Sequence, residues 1–201
     1  MLKMPIRAKP TSKSVLVALG GNLHSSVGPP EMTLRYALAN LRLRTNSLIR
    51  KSNFFFTPCF PDGFGPDYVN GALEFNFKGE ARELLDILHE IEAMFGRVRN
   101  TRWGGRVLDL DLVAFGDDIA PSIGSYLHWR DMSLEKQMEK IPQEIILPHP
   151  RLQERAFVLG PLMDIAPDWC HPVLGLTVRE MYGRLPLDDR NALRLLPKPQ
   201  C

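Results

Sequence analysis

The hydrophobic residues of this chain change period along its length, and the order of those changes restricts the fold more than any other feature. Apolar residues that alternate predict a strand with one buried face, and apolar residues at steps of three and four predict an amphipathic helix. Residues 15–19 form a short aliphatic run ended by Gly20-Gly21-Asn22, which reads as a buried strand leaving through a glycine turn. Leu34, Leu38 and Leu41 fall at helical spacing and predict a helix over residues 31–44. A second strand is expected over 48–56, followed by a loop over 59–67, where Pro61, Gly63, Gly65 and Pro66 exclude regular structure. Leu73, Phe75 and Phe77 alternate with Glu74 and Asn76, predicting a strand over 69–77. Leu84, Leu88, Ile91 and Phe95 give a second helix, which Gly96 can end in a left-handed conformation. Over 107–115, Leu108, Leu110 and Leu112 occupy one strand face, so Asp109 and Asp111 share the other.

The order strand, helix, two strands, helix, strand predicts an α+β ferredoxin-like βαββαβ sandwich. Its helices pack on one face of an antiparallel sheet, and the opposite face is expected to be free for ligands. A length of 201 residues suits one compact domain. Residues 1–14 read as a flexible basic extension, with organelle targeting as the alternative, 15–186 as the catalytic domain and 187–201 as a tail of little pattern. Within the domain, 117–146 reads as a surface insertion with a charged helical candidate at 133–140, and 152–159 as a short helix.

A hydrophobic share of 44% and a charged share of 24% are those of an ordinary globular protein. A formal net charge of +2 does not indicate a nucleic-acid partner, and no apolar run approaches the roughly 20 residues needed to span a bilayer. Cys59, Cys170 and Cys201 lack metal-ligand spacing and cannot all pair, so a reducing cytoplasm is expected. The default oligomeric state is monomer.

The chemistry concentrates in one stretch. Asp109 and Asp111 lie about 7 Å apart along a strand, a spacing at which hard carboxylate oxygens can hold magnesium together with substrate phosphates. An isolated Asp-x-Asp is as often a solvent-facing acidic strand, but Arg97, Arg99, Arg102 and Arg106 lie immediately upstream with Trp103, Gly104 and Gly105. Arginine forks bind phosphate oxygens and keep their charge, so the cluster can neutralise a triphosphate. The P-loop pattern of glycines with Lys and Ser or Thr is absent, which makes the phosphate grip one of side chains. His149 and Arg155 are candidates for further phosphate contacts. Thr57, Pro58 and Phe60, with Tyr68, Asn70 and Phe157, offer aromatic faces and amide hydrogen bonding for a flat heterocycle.

With these residues the chain resembles the 6-hydroxymethyl-7,8-dihydropterin pyrophosphokinase family. The resembling stretches are ALGGNL at 18–23, TP at 57–58, PDYVN at 66–70, GRVR at 96–99, RWGGRVLDLDL at 102–112 and LPHPRLQERAF at 147–157. The resemblance implies that ATP is the co-substrate and a reduced pterin the acceptor. It implies two magnesium ions on Asp109 and Asp111, and ATP contacts from Glu92, Arg97, Arg99, Arg102, Trp103, Arg106, His149 and Arg155. It also implies a pterin held between Tyr68 and Phe157, with Asn70 and the chain near Thr57, Pro58 and Phe60 reading its edge. Gly21 stands where serine is common in the family, the interval from Arg99 to Arg102 is short, 117–146 is long, and Pro150 replaces an aromatic residue. Two other classes compete: a nucleotidyltransferase using the same aspartates, and a ferredoxin-like RNA-binding module, which the Asp-x-Asp face would disfavour.

Overall fold

The computed structural model describes residues 12–59, 65–96, 105–133, 135–136 and 140–197. Its elements follow the order β1 (Lys13–Gly21), α1 (Pro30–Thr45), β2 (Arg50–Lys51), β3 (Phe55–Thr57), β4 (Tyr68–Phe77), α2 (Ala81–Met94) and β5 (Asp109–Phe115). Then come α3 (Ile123–Arg130), α4 (Ala156–Ile165), α5 (Val178–Arg184), α6 (Leu187–Asn191) and β6 (Arg194–Leu195). The sheet order β5-β1-β4-β3-β6, with β2 also on β4 and every pairing antiparallel, is the ferredoxin-like arrangement. No described helix is long and apolar enough to cross a membrane.

Local chemistry explains the first layer. Pro30 opens α1, where its missing N–H costs nothing and its fixed φ is already helical, and Asn46 closes the helix in the left-handed region at φ 48. On α2 the Glu83 carboxylate accepts the Glu80 N–H at 2.9 Å, and Gly96 follows the helix at φ +78. Leu34, Leu38, Leu84, Leu88 and Ile91 pack from these helices onto Val15, Val17, Leu73, Phe75, Leu108, Leu110 and Leu112, forming one dry core.

The opposite face is not open along its whole length, which corrects the expectation of a free face. Leu16, Ala18, Ala72, Val113 and Ala114 form a second core with Leu159, Leu162 and Ile165 of α4 and with Val178 and Met181 of α5. A register shift between Leu16 and Val17 leaves Val113 between their partners Ala114 and Leu112, so Val113 and Ala114 both turn into this second core.

Three further differences have local causes. The expected strand 48–56 is two short strands because the Ser52 hydroxyl accepts the Ala72 N–H at 2.9 Å and Asn53 donates from its backbone to Asp164 at 2.9 Å, interrupting the ladder. The 117–146 stretch holds an additional helix, α3, whose Tyr126 is fully buried with its hydroxyl 3.0 Å from His171 Nε2. Of the helical candidate at 133–140, residues 135 and 136 are helical and the Lys140 N–H donates to Lys136 C=O at 3.1 Å, while 134 and 137–139 lie outside the described residues. Residues 187–195 supply α6 and the edge strand β6, where Leu196 N–H donates to Phe54 C=O at 2.8 Å.

Candidate functional site

The cross-strand register assembles the site. Gly20 of β1 lies opposite Asp109 of β5 on one side and Asn70 of β4 on the other, while Asn70 lies opposite Phe55 of β3. Because directly opposed residues share a face, Asp109 and Asn70 belong to one row across the sheet, with Asp111 and Tyr68 two residues away on the same face. This polar row lies at the β5–β1–β4 end of the face whose other end is covered by α4. Glycine at position 20 is required there: a Cβ would come within 2.5 Å of Asn70 Oδ1.

Each aspartate meets an arginine. The Arg106 guanidinium forms a salt bridge with Asp109, and Arg155 Nη1 lies 3.6 Å from Asp111 Oδ2. The Asp109 side chain is 19% exposed, with its Oδ1 buried, and that of Asp111 is 38% exposed, so Asp111 is the more open of the two. Charge from Asp109 raises the Arg106 pKa, whereas burial lowers that of Arg155 against the opposing pull of Asp111.

His149 completes this end. Its N–H donates to Val113 C=O at 2.8 Å, which fixes the 147–150 segment beside β5. Burial first, and then the charges of Arg155 and Arg151, push the imidazole down to about 3. The ring is therefore neutral near pH 7. Its Nδ1 accepts the Arg151 N–H at 3.2 Å, which leaves the ring proton on Nε2. Asp111, His149 and Arg155 line one shallow depression with Val113, Leu152 and Val158.

Among the pterin candidates, Asn70 Nδ2 donates to Thr57 Oγ1 at 2.7 Å in a buried contact. Burial raises the Tyr68 pKa, with the Arg106 charge opposing it. Phe157 is exposed, with the Arg155 guanidinium 5.6 Å from its ring centroid, and Pro58 is exposed at the end of β3. Phe60, Arg97, Arg99, Arg102 and Trp103 lie outside the described residues.

Glu92 is placed differently from the others. It is 1% exposed on the helix side of β5 and accepts the Leu110 N–H at 2.7 Å. Its carboxylate supports the strand between the two aspartates.

Magnesium suits the donor set that remains. Among the described residues no group of three or more His, Cys, Asp or Glu could hold an ion, so Asp109 and Asp111 supply hard oxygens but not a full shell. Magnesium completes its shell with water and substrate phosphates, so the pair fits an ion arriving with a polyphosphate rather than one caged by protein.

A family model described as 7,8-dihydro-6-hydroxymethylpterin-pyrophosphokinase (HPPK) matches residues 16–167. The chain belongs to the HPPK family. It is 35% identical over 173 residues to the 2-amino-4-hydroxy-6-hydroxymethyldihydropteridine pyrophosphokinase of Synechocystis sp., covering 85% of this chain and 75% of that one. To the protein of the same name from Pseudomonas aeruginosa it is 36% identical over 155 residues, covering 77% and 81%. In fold it resembles wild-type Plasmodium falciparum HPPK-DHPS, with a TM-score of 0.59 and 13% identity over 89% of this chain. That match takes in 42% of the Plasmodium chain, so this chain spans less than half of it.

The HPPK match includes every position of the polar row. Two residues near it carried little signal in the sequence: Gly20, which reads as an ordinary turn residue until its approach to Asn70 is seen, and Asn22, buried at the exit of β1. Arg151, whose charge and N–H both act on His149, is visible in the sequence only as a basic residue beside a proline.

Proposed function

We propose that this HPPK-family chain transfers the terminal diphosphate of ATP to the hydroxymethyl oxygen of 6-hydroxymethyl-7,8-dihydropterin, releasing AMP, in folate biosynthesis. One observation carries the reading beyond family membership: the carboxylate pair and the Tyr68–Asn70 pair share a sheet face. Strand β1 lies between them and presents only Gly20 in the shared row. Two strand spacings separate the rows by roughly 10 Å, room for a polyphosphate and a flat ring side by side.

Asp109 and Asp111 would hold two magnesium ions, which when bound neutralise phosphate charge. Arg106 and Arg155 then turn their forks from the aspartates to phosphate oxygens, where the charge of the transferring group is balanced. Neutral His149 donates from Nε2 to a phosphate oxygen. Asn70, its Nδ2 held by Thr57, presents its amide to the pterin edge between the rings of Tyr68 and Phe157. Arg97, Arg99, Arg102 and Trp103 add to the nucleotide side, and Pro58 and Phe60 to the pterin side.

The hydroxymethyl oxygen attacks the β-phosphorus in line, the bond from that phosphorus to the bridging oxygen of the α-phosphate breaks, AMP departs with the bonding electrons, and the hydroxyl proton passes to solvent. Positioning and charge stabilisation supply most of the acceleration, so no strong protein base is required. We take the chain to act as a monomer, and the free thiols of Cys59 and Cys170 suit the cytoplasm.

Purified protein with ATP, magnesium and the reduced pterin should form AMP and pterin diphosphate in equal amounts. Release of free diphosphate with an AMP-linked product would instead mark a nucleotidyltransferase.

A further inference from the structure

We infer that Asn22 is a positioning residue for the diphosphate transfer, acting through the backbone of Arg106; the inference rests on the function proposed above. Asn22 leaves β1 at the end of the polar row and is 3% exposed. Its Oδ1 accepts the Arg106 N–H at 2.7 Å, and its own N–H donates to Arg106 C=O at 2.8 Å, an oxygen that also takes the Leu23 N–H at 3.2 Å. Nδ2 donates to Pro66 C=O at 3.0 Å, two residues before Tyr68. Arg106 N–H can only donate and Pro66 C=O can only accept, so the orientation of the amide is fixed by its partners.

One buried amide therefore ties together the exit of β1, the chain leading into β4 and the chain leading into β5. Two glycines let these segments close on it. A Cβ at Gly105 would lie 2.8 Å from Asn22 Oδ1, and one at Gly21 would lie 2.5 Å from Val107 C=O.

The side chain of Arg106 is 46% exposed, so packing does not immobilise its guanidinium. What places that guanidinium beside Asp109 is the backbone it hangs from, and both the N–H and the C=O of Arg106 bond to Asn22. An amide that only stabilised the fold would contribute to unfolding free energy without coupling to Arg106 in the chemical step. A positioning amide must couple, because misplacement of a charged group by about 1 Å is enough to cost on the order of a hundredfold in rate.

The test is a double-mutant cycle of Asn22→Ala with Arg106→Ala in single-turnover formation of AMP. Hydrogen exchange at the Arg106 amide is read alongside, since it needs no substrate. Asn22→Ala is expected to speed exchange at that amide and to slow the chemical step by about 10- to 100-fold, with pterin and ATP-analogue dissociation constants changed by less than about threefold. The double variant should be no more than about twofold slower than Arg106→Ala alone. Asn22→Leu, which fills the same space without polar atoms, is taken through the same cycle should the alanine variant not fold.

Active wild-type protein with a folded Asn22 variant of unchanged single-turnover rate, or losses that multiply in the double variant, would overturn the inference and leave the proposed reaction standing. Wild-type protein that forms no AMP from ATP and the pterin would overturn both.

Discussion

The two faces of the central sheet are built from the same strands and differ in how completely helices cover them. On the α1/α2 face, Leu108, Leu110 and Leu112 are all buried against leucines and Ile91. On the other face α4 and α5 cover only part, and the uncovered part carries Asp109, Asp111, Asn70 and Tyr68 around Gly20. Neighbouring residues of β5 thus serve separate purposes, because strand alternation sends one into the core and the next toward the ligand side. Stability and chemistry should therefore respond independently to substitutions one residue apart.

The largest effect is expected at Asp111. Asp111→Ala removes a half-exposed carboxylate and should lower turnover by about a thousandfold or more, with the thermal midpoint nearly unchanged. Wild-type AMP formation by that variant would erase the distinction between the faces.

Leu110, 3% exposed, lies between the two aspartates. Leu110→Ala should cost about 3 kcal/mol in urea unfolding while folded molecules keep pterin binding. A large loss of pterin affinity without loss of stability would reverse the assignment.

Acid should act through the partly covered face, where His171 is fully buried beside Trp169 and Tyr126. Burial, with the Arg130 charge adding to it, lowers this imidazole to about 4. Below the ordinary histidine value of about 6.5 the unfolded chain takes up a proton that the folded protein does not accept until about pH 4. Stability from this group is thus present above about pH 6.5 and declines as pH falls to about 4, by on the order of 3 kcal/mol. Urea midpoints measured across that range should show the slope in wild-type protein and a shallower one in His171→Gln.

The smallest effect concerns the gap between the two substrates. Gly20→Ala drives a Cβ against Asn70 Oδ1 and should weaken pterin binding by about tenfold, leaving the affinity for an ATP analogue within about twofold. Calorimetric titration with each ligand separates the two.

Periodicity made the dry face legible before the structure: the leucines of β5, α1 and α2 fall where a half-buried strand and two amphipathic helices require them. The cover of the second face was harder to read. Helix α4 is apolar nearly all round and contains Pro161, so no single stripe shows which way it packs and the proline reads as a break. Strand β6 is only two residues, Arg194 and Leu195, too short to show a period, and its place on β3 depends on tertiary packing such as that of Leu193 against Gly160.

In the site, Asp109 and Asp111 were readable from alternation and charge. The roles of Gly20 and Asn22 were not, because a close approach between strands and a bond to a distant peptide leave no local pattern. Glu92 shows the converse. Only the family resemblance pointed to it, and its bond to the Leu110 amide adds a carboxylate that supports the strand.

The most direct measurement is a crystal structure with manganese in place of magnesium and a nonhydrolysable ATP analogue, read by anomalous scattering. Manganese peaks at roughly 2.1–2.2 Å from carboxylate oxygens of both Asp109 and Asp111, bridging them to the polyphosphate, are expected. A bound analogue whose metal lies away from both aspartates would contradict the assignment.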